Sequence, residues 1–167
     1  MVPPAPGRAA AERLARVGEP VILSPAMHPS LELLRPVVAL VVWTFVMWTW
    51  MYLTRIPAIQ RSGMKLDPHA PRGEQMATLP AEVRWKADNY NHLMEMPTLF
   101  YAIALTLSLV STDPSLDAKL AWAYVGLRVA HSVFQALVNK IEIRFALFAF
   151  SSFVLIAMTV RAALALA

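Results

Sequence analysis

No charged side chain falls between Arg35 and Arg55. An apolar run of that length, wound as a helix, crosses the ~30 Å hydrocarbon core of a bilayer. Two further uncharged runs follow, Thr98 to Thr112 and Phe145 to Val160, the latter bounded by Arg144 and Arg161. In lipid the backbone has no water to bond to, so segments of this kind must be helices that satisfy themselves. Composition agrees. Hydrophobic residues make up 57% of the chain and charged ones 16%, against about 45–50% and about 25% in soluble domains. With 167 residues, one domain is the natural size.

The spacing predicts four spans and an all-α, integral membrane four-helix bundle. The first covers Leu34–Leu53, with Pro36 in its first turn and Trp48, Trp50 and Tyr52 as an interfacial belt. The second covers Asn89–Val110, loosened or kinked at Pro97. A turn at Thr112–Ser115, with Ser115 as N-cap, leads to a third span over Leu116–Asn139. A very short connection then leads to the fourth, Ile143–Leu166. Residues 55–88 form a long polar connection with six Lys and Arg side chains (Arg55, Arg61, Lys65, Arg72, Arg84 and Lys86).

Residues 31–167 are thus the membrane domain, and residues 1–30 a Pro-rich N-terminal extension. The extension has no apolar core followed by a cleavage site, so it does not read as a secretory signal. It reads either as a docking arm or as residues ahead of a true start at Met27. Basic residues concentrate in the first and third connections, which places the 55–88 segment in the cytoplasm and both termini outside.

Several chemistries drop out. The chain has no cysteine, which removes disulfides, thiolate nucleophiles and Cys-based metal sites. Five glycines leave little for a phosphate loop. The net charge of +4 sits between apolar runs, facing lipid headgroups, with no basic block suited to nucleic acid.

Ionisable groups inside a membrane are expensive and mark function or a structural pair. On the second span His92 and Glu95 share a face; Asn89 and Asn91 read as interfacial caps. On the third, Arg128, His131 and Gln135 form one polar stripe. Arg128 needs a carboxylate or a bound anion, and Glu95 is the candidate partner. His131 reads as a hydrogen-bonded packing residue, and no second histidine stands at metal-ligand spacing. Arg144 begins the fourth span, either as an anchor or as a second cation beside Arg128 in a pocket for an anionic small molecule.

These motifs, in order, resemble the MAPEG family (membrane-associated proteins in eicosanoid and glutathione metabolism). His92-Leu93-Met94-Glu95 is similar to the family's Asn-x-x-Glu on its second helix, and Leu127 to Ser132 closely resembles its Arg-x-x-His stretch on the third. Arg144 stands sixteen residues after Arg128, as the second arginine does in the prostaglandin E synthase branch. The resemblance covers roughly residues 33–165, and the stretch Lys86 to Glu95 looks like a bacterial branch, which implies an inner membrane.

The resemblance implies a four-helix protomer, a homotrimer, and glutathione bound between protomers near the cytoplasmic side. By position, Arg128, Glu95, His92, His131 and Gln135 would line the glutathione site, with Arg144 and Arg128 in catalytic roles. Three positions depart from the glutathione-using pattern: His92 replaces an asparagine, and Gln135 and Phe148 replace tyrosines.

The implied activity is a glutathione-dependent transferase or peroxidase acting on a lipophilic small molecule. The alternative is a non-catalytic module, binding lipid in the same pocket or serving as accessory subunit of a larger membrane complex. A channel ranks last, because so few polar residues cannot line a pore.

Overall fold

The structure is a computed structural model that describes residues 29–167; the expectations for the N-terminal extension and for Met27 fall on residues outside these, apart from its last two positions. The described residues form six helices and no strand: α1 (Leu31–Ser62), α2 (Glu74–Ala77), α3 (Ala81–Leu93), α4 (Met96–Val110), α5 (Pro114–Leu137) and α6 (Ile141–Leu166).

Helix α1 is 32 residues long, or about 48 Å, well beyond a bilayer core. It buries Leu33, Pro36, Leu40, Thr44, Met47 and Met51, a stripe at three- and four-residue steps. Its other faces are also apolar but exposed, as at Val42, Phe45 and Leu53. A helix apolar on all sides needs lipid or protein around it. The helix starts and ends outside the expected Leu34–Leu53, because both of its prolines are absorbed within it. Thr54 Oγ1 donates to the carbonyls of Trp50 and Met51 one turn before Pro57, and Gly63 closes the helix at φ +65°.

The second expected span is two helices that begin earlier than Asn89. Helix α3 starts at Ala81, taking the last part of the 55–88 connection into the fold. It ends at Leu93, and α4 starts at Met96 with a proline in its first turn. The break lies where the sequence reading sets it, beside Pro97. Pro97 has no N–H to offer the Leu93 carbonyl four residues back, and its ring would collide with that carbonyl. Thr98 closes the break, its N–H and hydroxyl both donating to the Glu95 carbonyl at 3.1 and 2.6 Å.

The N-cap of α5 is Asp113 and not Ser115. Pro114 occupies the first helical position, and the Asp113 carboxylate accepts the Leu116 N–H at 3.1 Å. Between α5 and α6 the chain turns through Asn139 at φ +55°.

Helix α5 packs against both α1 and α6, α1 also packs on α3 and α4, and α4 on α6. The core is a column of Leu40, Met47, Phe100, Leu107, Tyr124, Leu155 and Met158. Phe100 and Tyr124 stack with centroids 4.5 Å apart. Three segments are long and apolar enough to cross a membrane: Leu31–Ser62, Ala81–Val110 and Ile141–Leu166. Helix α5 is not among them. Arg128, His131 and Gln135 interrupt its apolar sequence, and all three are buried against its neighbours.

Candidate functional site

Helices α3 and α5 run antiparallel and face each other through polar side chains. Lys86 Nζ donates to the Glu82 carbonyl at 2.8 Å and, across the seam, to the Ala136 carbonyl at 3.3 Å. It also sits 5.2 Å from the Trp50 ring centre, a cation–π distance. Two turns along α3, Arg128 Nη2 donates to the His92 carbonyl at 3.1 Å. Asn89 lies between these two contacts, fully buried, and neither of its amide atoms has a protein partner. Ser132 Oγ and Gln135 Oε1 on α5 are likewise buried without one.

The contact at Arg128 corrects the expected pairing. Its guanidinium does not meet Glu95. It caps the C-terminal end of α3, where carbonyls lack intrahelical donors and the helix dipole is negative. Arg128 is fully buried, and its Nε and Nη1 have no protein partner. Glu95, the expected partner, lies elsewhere. The helix break turns its side chain outward, to 66% exposure. There its Oε2 lies 2.9 Å from His92 Nδ1.

A cavity of about 420 Å³ opens where α3, α5 and α6 meet. It is lined by His92, His131, Ile141, Arg144, Phe145 and Phe148. The His92 ring is 5.0 Å from that of His131 and 5.5 Å from that of Phe148. Arg144 Nη1 donates to Asn139 Oδ1 at 2.6 Å, which holds the guanidinium at the α5–α6 turn, and Arg144 Nε is left unpartnered. The cavity therefore has one cationic wall, two imidazoles and an apolar wall.

Of the residues singled out from sequence, His92, His131 and Arg144 line one cavity. Arg128 stands behind it, bonded to the backbone of His92. Glu95 reaches it only through His92, and Gln135 is buried off its lining.

The profile of the MAPEG family matches residues 33–164, which spans all of the helices described here apart from the outermost residues of the first and last. The chain belongs to the MAPEG family. No match was found among curated proteins or solved structures. For a MAPEG protein, the membrane-crossing helices make it an integral membrane protein.

Three groups escaped sequence reasoning. Asn89 and Lys86, read as interfacial and as a loop charge, are both buried. Their spacing from His92, three residues at each step, is the signal that finds them. The third is an ion pair at the far end of α5. Arg161 Nε donates to Asp117 Oδ1 and its Nη2 to Oδ2 at 3.3 Å, while Ser111 Oγ donates to Oδ2 at 2.5 Å. Asp117 and Arg161 lie 44 residues apart, and no local pattern links them.

Proposed function

We propose that this MAPEG protein is a glutathione-dependent transferase or peroxidase acting on lipophilic electrophiles, with the α3–α5–α6 cavity as its co-substrate site. The observation that carries this reading is the meeting of Arg144 and two histidines with Phe145 and Phe148 in one cavity. Glutathione is a net anion at neutral pH, and a cationic wall attracts it through a charge-assisted hydrogen bond. A cation near the sulfur favours the thiolate, the reactive form. The apolar wall suits a substrate arriving from lipid. A volume of about 420 Å³ is within the usual size of small-ligand sites.

In this reading α5 is a fourth crossing, its polar stripe hidden between neighbours. The 55–88 connection is cytoplasmic, and the protein works as a homotrimer in the bilayer, with glutathione between protomers. The outward side of the cavity and the exposed Glu95 then face the next copy.

Calorimetry on detergent-purified protein, with ultraviolet absorbance reporting the thiolate, tests the reading. Micromolar glutathione binding with a thiolate signal is expected. Arg144→Ala should weaken binding by roughly 10- to 100-fold, the loss of one charged hydrogen bond. No binding at millimolar glutathione sinks the reading. It would favour a non-catalytic module that binds lipid or serves a larger complex, to which Phe148 also points. That ring offers no hydroxyl at a position where glutathione-using members place a tyrosine.

A further inference from the structure

We propose that His92 and Glu95 form a base dyad that takes the proton from the co-substrate thiol, with His92 as catalytic residue and Glu95 as positioning residue. The inference rests on the glutathione reading above.

The dyad stands at the helix break. Where α3 stops at Leu93 and α4 resumes at Met96, the backbone bends at Glu95. The Glu95 carboxylate lies 2.9 Å from Nδ1 of His92, three residues back on the chain. The contact holds the Nδ1–H tautomer, which leaves Nε2 as the basic nitrogen. Nε2 makes no hydrogen bond among the described residues, and the ring lines the cavity. The carbonyl of the same residue is held by Arg128, so backbone and side chain of His92 are both restrained. A carboxylate orienting an imidazole in the wall of a cavity is the arrangement of a general base. The family pattern has an asparagine at this position, and an asparagine has no basic nitrogen. The base is therefore a property of this chain's own histidine.

The step balances without further reagents. His92 Nε2 accepts the thiol proton. The thiolate, held beside Arg144, adds to the electron-poor carbon of an α,β-unsaturated carbonyl, forming the C–S bond as the C=C electrons shift toward the carbonyl. The imidazolium then returns its proton to the neighbouring carbon. Nothing is oxidised or reduced overall, and the enzyme ends as it began. The charged and titratable groups facing His92 are Glu95 at the break, Arg128 and His131 on α5, and Arg144 on α6. His131 is the rival base, buried in the same cavity.

The test measures glutathione affinity by calorimetry, and thiolate absorbance and conjugation rate against pH, in wild type and in His92→Gln, Glu95→Gln, Glu95→Asp and His131→Gln. Wild type should show a rate that rises through the histidine range. At saturating glutathione, His92→Gln should lose roughly 100-fold in rate at neutral pH, the scale of general-base catalysis. Its thiolate signal should move to higher pH. Glu95→Gln should move the thiolate signal the same way, and Glu95→Asp should restore part of it. An unchanged pH profile in both His92→Gln and Glu95→Gln overturns the dyad while leaving the glutathione reading intact. Loss of the rising limb in His131→Gln alone assigns the base to His131 and overturns it too. Failure of wild type to bind glutathione removes that reading and the dyad with it.

Discussion

Arg128 carries a charge into the interior, and what meets it is a helix end. Carbonyls at a helix C-terminus are short of donors, so a guanidinium there satisfies the backbone as well as itself. Its two unpartnered nitrogens and the unpartnered amide of Asn89 are a different matter. A buried polar group without a partner costs free energy that an apolar group of similar shape does not. Asn89→Leu should therefore leave stability within about 1 kcal/mol of wild type or raise it, read as thermal unfolding in detergent. A drop of several degrees would mean that the amide is paired. At the opposite end, Asp117 and Arg161 are an asymmetric pair: the carboxylate is fully buried and the guanidinium partly exposed. Arg161→Ala strands a buried charge with only Ser111 for company, whereas Asp117→Ala leaves a cation that can turn outward. The melting temperature should fall by several degrees in the first variant and by less in the second.

Among the elements, the interrupted pair α3 and α4 decides the site. Sequence reading finds the interruption because proline's chemistry is local. It also finds the polar faces of α3 and α5, in part, from their spacing. It pairs Glu95 with the wrong partner because a break rotates everything after it relative to everything before, and the size of that rotation is not written in the residue pattern. Pro97→Ala restores a donor for the Leu93 carbonyl and lets the helix run on. The expected outcome is little change in melting temperature, with Glu95 and His92 still on one helix face at three-residue spacing and the conjugation rate close to that of wild type. A rate that falls toward that of Glu95→Gln would mean that the bend, and not the three-residue spacing, sets the contact.

Across the whole molecule, the number of crossings turns on α5. Apolarity marks three segments and passes over α5, whose polar stripe is turned inward. Four crossings put Lys65 and Lys140 on one side and Thr112 on the other. With no cysteine in the chain, Lys65→Cys, Thr112→Cys and Lys140→Cys each supply a single label site. A membrane-impermeant maleimide on oriented vesicles should label Lys65→Cys and Lys140→Cys together, and Thr112→Cys only from the opposite face. Labelling of Lys140→Cys together with Thr112→Cys, from the face opposite to Lys65→Cys, would remove α5 from the membrane.

By itself the sequence determined that this chain is helical, that it belongs in lipid, where its helices break, and which polar residues stand on which helix face. Those properties follow from hydropathy over a window, from proline's missing donor and from the 3.6-residue turn, all of which act within a few neighbours. Only the tertiary structure decided which distant polar groups meet: Arg128 with the end of α3 and not with Glu95, and Asp117 with Arg161 across 44 residues. The physical reason is that a hydrogen bond depends on where two helices cross and how each is rotated about its axis. Packing of the whole bundle sets both.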